Sequence, residues 1–573
     1  MSSKKILTIG ILAHVDAGKT SLTECLLYAS GATKNRGSVD KGSAITDGLE
    51  LEKSRGISIK TATVDFHWKD THINLVDTPG HIDFSAEVDR ALSVLDLVVL
   101  VVSAVEGVQA HTLNLWESIR ERELPVLVFV NKIDRAGADL EQVFKDFEKD
   151  LGAQLFALNY GENSQPEAPK VIDFKNLQRY LDTPILEKSF ENLADLDEEF
   201  LEIFLESSLR ELGGNTGDLA SIFEKAKGQI EAQKLVGVLF GSAKMGLGIE
   251  AVLETITTLY QAKKTTQNTS SAKIFKVEYD AKFGRLAHLR LYGGNLKSKD
   301  VIWSQNLQKE LKINQIFQRK LGKLEQVGQL AANEIGIVTT SDLVLAGDVL
   351  GQAIFEGNFN KIHQAVLSVQ AIAEAEKDYQ KLGEALELLN IEDPQLDFQW
   401  YKSEREFHLK ILGPIQTEVL KDSLASRFGI AANFLPPKVI YKETPKRSGQ
   451  GLVRYTMPKP CWAVMLFLIE PAPLGSGVNF TSKVCTSDIV QKYQNEVERA
   501  VPWSLKQGIK GWEVTDLKIT LIAGEDHVMH SNPGDFLLAT PLGIIQGLDF
   551  ADTNLLEPMY AFQIKAKAEL LGA

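Results

Sequence analysis

At 573 residues the chain is too long for one hydrophobic core, and at roughly 100–200 residues per domain three to five domains are expected. Its 44% hydrophobic and 24% charged residues are those of an ordinary soluble globular protein. Its formal charge of −14 excludes whole-molecule attraction to nucleic acid as the main binding principle, leaving only local basic patches. Three widely spaced cysteines, Cys25, Cys461 and Cys485, form no metal-type pair and suit a reducing cytosol. With no visible signal peptide or bilayer-length apolar run, a cytoplasmic protein with no membrane partner is expected.

Along the first part, apolar runs at 6–13, 73–76, 97–102, 125–130 and 235–240 alternate with helical patterns at 19–30, 109–122 and 249–263. Continuous apolar strands separated by helices predict an α/β domain over 1–262, its mostly parallel sheet covered by helices on both faces. The polar stretch 264–271 reads as a linker. Strand patterns at 273–280, 286–292, 301–304 and 334–339, punctuated by Gly293, Gly294 and Gly347, predict a β-barrel domain over 272–356. Two α+β segments follow, at 363–436 with amphipathic helices over 375–389 and 415–427, and at 439–552.

The chemistry concentrates where the first strands end. The first runs into Ala13-His14-Val15-Asp16-Ala17-Gly18-Lys19-Thr20-Ser21 and then a helix, the context a phosphate-binding loop requires. Backbone N–H groups of such a loop face phosphates, Lys19 reaches the β and γ oxygens, and the Thr20 hydroxyl is placed for Mg²⁺. Ala13 stands where glycine is usual, which is tolerable at a strand end with negative φ. A second strand ends in Asp77-Thr78-Pro79-Gly80-His81. There Asp77 can hold Mg²⁺ through water, and the Gly80 N–H can sense the γ-phosphate. A third ends in Asn131-Lys132-Ile133-Asp134, where the Asp134 carboxylate suits guanine N1–H and its 2-amino group, Asn131 anchors the loop and the Lys132 stem covers the ring. A fourth ends in Gly241-Ser242-Ala243-Lys244, where the Ala243 N–H can donate to guanine O6. Between the first two lies Arg55-Gly56-Ile57-Ser58-Ile59, whose Ser58 hydroxyl can close onto metal and γ-phosphate as a switch. Each later motif is weak alone; four in one order, each after a strand, point to one guanine nucleotide at the strand C-termini.

These stretches, AHVDAGKTSLTE (13–24), RGISI (55–59), DTPGHIDFSAEV (77–88), NKIDR (131–135) and GSAK (241–244), resemble the translational GTPases, and more narrowly the elongation factor G group. LGEALELLNIEDP (382–394) and ILGPIQTEVLKDSLASRFGI (411–430) resemble that group's third domain, implying a ferredoxin-like fold. VIYKETP (439–445), EPAPLGSGVNF (470–480) and GWEVTDLKITL (511–521) resemble its fourth, and LLEPMYAFQIKA (555–566) the first strand of its fifth. Within the group, GSVDKGSAITD (37–47), RLAHLRLYGG (285–294) and PLGSG (473–477) are similar to the ribosomal protection proteins of tetracycline resistance.

The resemblance implies a monomeric GTPase using GTP/GDP and Mg²⁺, with the ribosome (rRNA and ribosomal proteins) as partner and no DNA. His81 orients the attacking water, Val15 and Ile57 form an apolar gate, and Thr20, Ser58 and Asp77 serve the metal. It also implies a ribosome-facing tip in the fourth domain, here Gly475, Ser476 and Gly477 with His527, Val528, Met529 and His530. Residues 553–573 read as the start of an incomplete fifth domain, the chain being short or a piece of a longer one. The turn 526–531 lacks the tyrosine and proline of the drug-dislodging loop and is nearer a translocase tip. A translocase or release-factor-type GTPase therefore stays open, as do a nucleotide-binding module without hydrolysis and an ATP-dependent phosphotransferase.

Overall fold

A computed structural model describes residues 5–37, 52, 58–162, 168–206, 216–260, 269–280, 282–320, 323–352, 365, 367–402, 405–456 and 461–559. The chain forms two compact units, residues 1–365 with 370–435, and residues 366–369 with 436–573.

The first unit begins with a seven-stranded sheet. Its strands are β1 (Lys5–Ala13), β2 (Ala62–Trp68), β3 (Thr71–Asp77), β4 (Leu97–Ser103), β5 (Val126–Asn131), β6 (Leu155–Ala157) and β7 (Val236–Phe240), in the order β2-β3-β1-β4-β5-β7-β6. All pairings are parallel except the edge hairpin β2–β3. Every residue of β4, LVVLVVS, is buried, as a strand covered on both faces requires. The register aligns Ile11 with Asp77, Ala13 with Val101, Ser103 with Asn131 and Val130 with Phe240. The strand C-termini therefore lie level along one edge, the place where parallel α/β sheets bind ligands.

Six of the strands that follow close into the barrel. Ser271–Asp280, Gly284–Gly293, Ile335–Thr340, Lys309–Lys320, Val301–Ser304 and Val349–Gly351 pair in a closed ring, because Val301–Ser304 bonds both Lys309–Lys320 and Val349–Gly351. Its interior is aliphatic, with Ile274, Leu289, Leu291, Leu311, Ile316 and Leu350 fully buried.

The third segment is a small sheet with helices Tyr379–Glu392 and Pro414–Phe428. The latter starts on Pro414 after an extended Gly413 and stops at Gly429, whose φ of 66° ends the helix without steric cost. The first helix was expected from residue 375; residues Glu376–Asp378 instead form a 3₁₀ turn leading into it.

In the second unit, strands Gly449–Thr456, Trp462–Pro471, Leu517–Glu525 and Val478–Ser482 form one sheet in that order. It is covered by helices Gln491–Ser504 and Pro533–Ala551, around Phe467, Ile469, Val497, Phe536 and Ile544. Thr553–Leu556 pairs antiparallel with Lys442–Pro445 in a second, three-stranded sheet. The described start of the expected fifth domain is thus joined by hydrogen bonds to the segment before it; residues 560–573 lie outside the described residues.

Candidate nucleotide site

The loop after β1 carries Val15 and Asp16 exposed, Asp16 at φ 64° and Gly18 at φ 96°, and delivers the chain into helix Lys19–Ala29. Ala13 is the last residue of its strand and keeps a negative φ, so the missing glycine costs nothing there. The helix has no side-chain cap and no acidic residue in its first turn. No acid of its own first turn therefore competes for its first N–H groups, Ser21 among them, which suits an N-terminus that receives phosphate.

At the phosphate end four side chains converge. Lys19 Nζ pairs with Asp77 Oδ1 and lies 3.0 Å from Ser58 Oγ, which is 3.3 Å from Thr20 Oγ1. Asp77 Oδ2 is buried and has no hydrogen-bond partner among the described residues. Two hydroxyls and an unsatisfied carboxylate oxygen are hard donors that suit Mg²⁺. Phosphates would take Lys19 and a divalent cation would take Asp77, so the ion pair can be exchanged for two ligands of opposite sign. Gly80, at the end of the loop after β3, packs against Ala13; a Cβ there would sit 3.4 Å from the Ala13 carbonyl.

The base end is built around Asn131. Its Nδ2 donates to Ala17 O at 2.8 Å and its Oδ1 accepts from Ala243 N at 2.8 Å, tying the phosphate loop to the GSAK loop. Ser242 Oγ donates to Asp134 at 2.6 Å, and Cys25 Sγ donates to Ala243 O. Burial pushes the Cys25 thiol up to about 11, so it stays neutral in this role. Lys244 is exposed, its carbonyl accepting from Arg36 at 2.8 Å. Lys132 adopts φ 65° and pairs with Glu106 at 3.3 Å.

His14 enters this site through its backbone only. Its ring points to Thr112 Oγ1 at 3.3 Å and to Glu106 at 3.7 Å, and burial holds its imidazole below the ordinary value, hence neutral at pH 7. Glu106 was not foreseen. It follows β4, whose C-terminus shares the edge used by the other loops, and that shared edge was the available signal.

His81 follows Gly80 at the surface. Its Nδ1 accepts from Asp83 N at 3.2 Å and its ring packs edge-on to Phe84. With Nδ1 accepting, Nε2 is the ring nitrogen left to donate to a water oxygen. Asp83 in turn accepts from Ile415 N at 3.0 Å, at the start of helix Pro414–Phe428. Val15 is exposed beside the phosphate loop; Ile57 lies outside the described residues.

The expected fourth-domain tip needs correcting. Leu517 pairs with Val478 and Pro471, whereas Glu525 pairs with Val464. Gly475, Ser476 and Gly477 therefore sit at one end of the central strand and His527, Val528, Met529 and His530 beyond the other. Eight residue steps, about 26 Å, separate them. The neighbours of the 526–531 turn are different loops. Asp526 N donates to Asp488 O at 2.9 Å, Asp526 accepts from Val490 N at 2.8 Å, and the His527 ring lies 5.5 Å from Trp462 and 4.5 Å from His530. Val528 is 97% and Met529 82% exposed. Of the basic residues near this unit's other end, Lys446 and Lys510 are paired with Asp552 and Lys442 with Glu513.

Residues 4–262 match the elongation factor Tu GTP binding domain family, and residues 437–552 match elongation factor G, domain IV. The chain is 37% identical to tetracycline resistance protein TetP of Clostridium perfringens and 35% identical to TetO of Streptococcus mutans, and 35% identical to TetM from transposon Tn1545 of Enterococcus faecalis. In each case 99% of this chain aligns with 86% of the relative. A crystal structure of a Thermus thermophilus protein superposes with a TM-score of 0.65 at 25% identity, over 96% of this chain and 86% of that one. Fold and site together define a GTPase of the elongation factor G type, with GTP and GDP as its nucleotides. Within that class the chain belongs to the family of the tetracycline resistance proteins.

Proposed function

We propose that this GTPase acts on the ribosome, contacting rRNA and ribosomal proteins near the decoding centre, frees it from tetracycline, and leaves on GTP hydrolysis. The observation that carries this is a likeness of 35–37% identity along 99% of the chain to proteins named for tetracycline resistance. It acts as a cytoplasmic monomer; among the described residues no helix is long and apolar enough to cross a membrane.

In this reading Lys19, the loop N–H groups of residues 14–21 and Gly80 hold the phosphates, while Asn131, Lys132, Asp134, Ser242, Ala243 and Lys244 enclose guanine. Thr20, Ser58 and Asp77 would hold Mg²⁺, which would supply neutralisation of the phosphate charge as the γ-phosphoryl group leaves GDP for water. His81 orients the water, with Val15 and Ile57 as the apolar gate. Phosphoryl transfer depends on positioning, and His81 is engaged by Asp83 and Phe84, so docking on the ribosome is what brings it to the phosphate.

One observation favours a translocase instead: residues 526–531 carry neither tyrosine nor proline. Expression in a tetracycline-sensitive strain separates the two. A raised inhibitory concentration, abolished by His81→Ala, supports protection; an unchanged one sinks it. Phosphate release stimulated by ribosomes and lost in His81→Ala supports the catalytic role, and stimulation that survives the substitution removes it.

A further inference from the structure

Residues 58–61 are gripped by parts of the fold remote from one another in sequence. Glu52 Oε1 accepts from the N–H groups of Ile59 (2.8 Å) and Lys60 (3.0 Å). Glu87 accepts from Thr61 N at 2.8 Å, and Lys276 of the barrel donates to Thr61 O at 2.7 Å. Ile59 is buried with Phe84 and Val419, against Ile415. Lys60 Nζ reaches Glu392, the last residue of helix Tyr379–Glu392, at 3.3 Å.

Glu392 is itself fixed. Arg427 donates to its two oxygens at 2.9 and 2.5 Å, and Tyr279 N of the barrel donates at 2.9 Å. Burial alone would raise this carboxyl, but Arg427 and Lys60 outweigh it and hold it below the usual carboxylate range. The carboxylate is thus charged at neutral pH, and its position is set by the third segment and the barrel together. Lys60 is two residues from Ser58, whose hydroxyl lies between Lys19 and Thr20.

We propose that Glu392 is a positioning residue which, through Lys60, couples the seating of the third segment to the placement of the Ser58 hydroxyl at the metal and γ-phosphate. This rests on Ser58 being a metal ligand. Coupling of this kind is reciprocal: what displaces the third segment loosens GTP with its metal, and GTP with its metal tightens the third segment. GDP has no γ-phosphate for the loop to close on and is left out of the exchange.

The test measures, on the full chain, release of a fluorescent non-hydrolysable GTP analogue and of fluorescent GDP across a Mg²⁺ titration, with thermal unfolding alongside. Lys60→Met cuts the tether and leaves Glu392 anchored by Arg427; Glu392→Gln weakens the tether from the other side. Both are expected to raise the Mg²⁺ needed for half-maximal retention of the GTP analogue by about 5-fold or more, with GDP retention unchanged and Lys60→Arg near wild type. Ser58→Ala is the control for the underlying reading. If it shifts the Mg²⁺ requirement and Lys60→Met does not, the coupling is overturned while the Ser58 assignment stands. If Ser58→Ala leaves the titration unchanged, the Ser58 assignment falls and the coupling with it. Equal weakening of GTP and GDP with a lowered unfolding temperature makes Glu392 a structural ion pair only and overturns the proposal.

Discussion

Arg290 of the barrel places one nitrogen 2.8 Å from both carboxylate oxygens of Asp96, with its other terminal nitrogen 2.7 Å from Val94 O, and both side chains are buried. Asp96 Oδ2 also accepts from Thr8 N at 2.9 Å, in the strand that leads to the phosphate loop. One carboxylate therefore pairs with a guanidinium from the barrel and a backbone N–H from the sheet. Removing one partner strands a buried charge, which costs about 3–5 kcal/mol. Asp96→Asn should lower the calorimetric transition of the first unit by several degrees, and Arg290→Lys should not escape, since an ammonium cannot reproduce the fork. A transition within a degree of wild type for Asp96→Asn would show that the barrel is held by its other contacts.

Gly18 has φ 96°, and a Cβ on it would sit 2.3 Å from Asn131 Nδ2. The clash falls on the amide that joins Ala17 O to Ala243 N, so an added methyl disturbs the phosphate and base ends together. Gly18→Ala is expected to weaken GTP and GDP alike, by about 100-fold or more, from strain at a left-handed residue plus the loss of two hydrogen bonds. Equilibrium titration with a fluorescent guanine nucleotide checks it. Unaltered affinity would mean that Asn131 can move aside without cost.

The G-type loops were legible because each is local. A strand end, a turn and a helix start fall within ten residues, and Lys19, Asp77, Asn131 and Ser242 declare themselves by their place after an apolar run. The barrel and the third segment were legible for the same reason, through strand period and helix period. The tip was not. Its neighbours, Trp462 and Asp488, are set by the antiparallel pairing of Trp462–Pro471 and the parallel pairing of Val478–Ser482 with Leu517–Glu525, and register between strands separated by a helix leaves no local mark. Glu106, Glu392 and Arg290 were missed on similar grounds. Each is a charged residue whose partner lies far away in the sequence, and in the sequence alone it looks like solvated surface.

Lys273 gives a pH signature. It lies buried on strand Ser271–Asp280, in register with Arg290, and burial, reinforced by the charge of Arg122, pushes its ammonium down to about 8 from 10.5. Between those values the unfolded chain still holds a proton that the folded chain has released. Unfolding then takes up a proton, so this residue's contribution to stability rises with pH across the window. Below about pH 8 the folded protein carries the cost of a buried ammonium. Lys273→Met keeps the length of the stem and removes that cost. Measured against wild type, the variant should fare better at pH 7 than near pH 10.5 by about 1–3 kcal/mol, the difference changing steadily from about pH 8 towards 10.5. Cys25, Tyr260 and Tyr292, all pushed up by burial, titrate in the alkaline range with the opposite sign, but they are common to both proteins and cancel in the difference. Urea unfolding of the pair at about pH 7, 8.5 and 10 provides the measurement. A difference between the two proteins that stays the same from the lowest to the highest of these would mean that Lys273 is solvated well enough to keep its ordinary proton affinity.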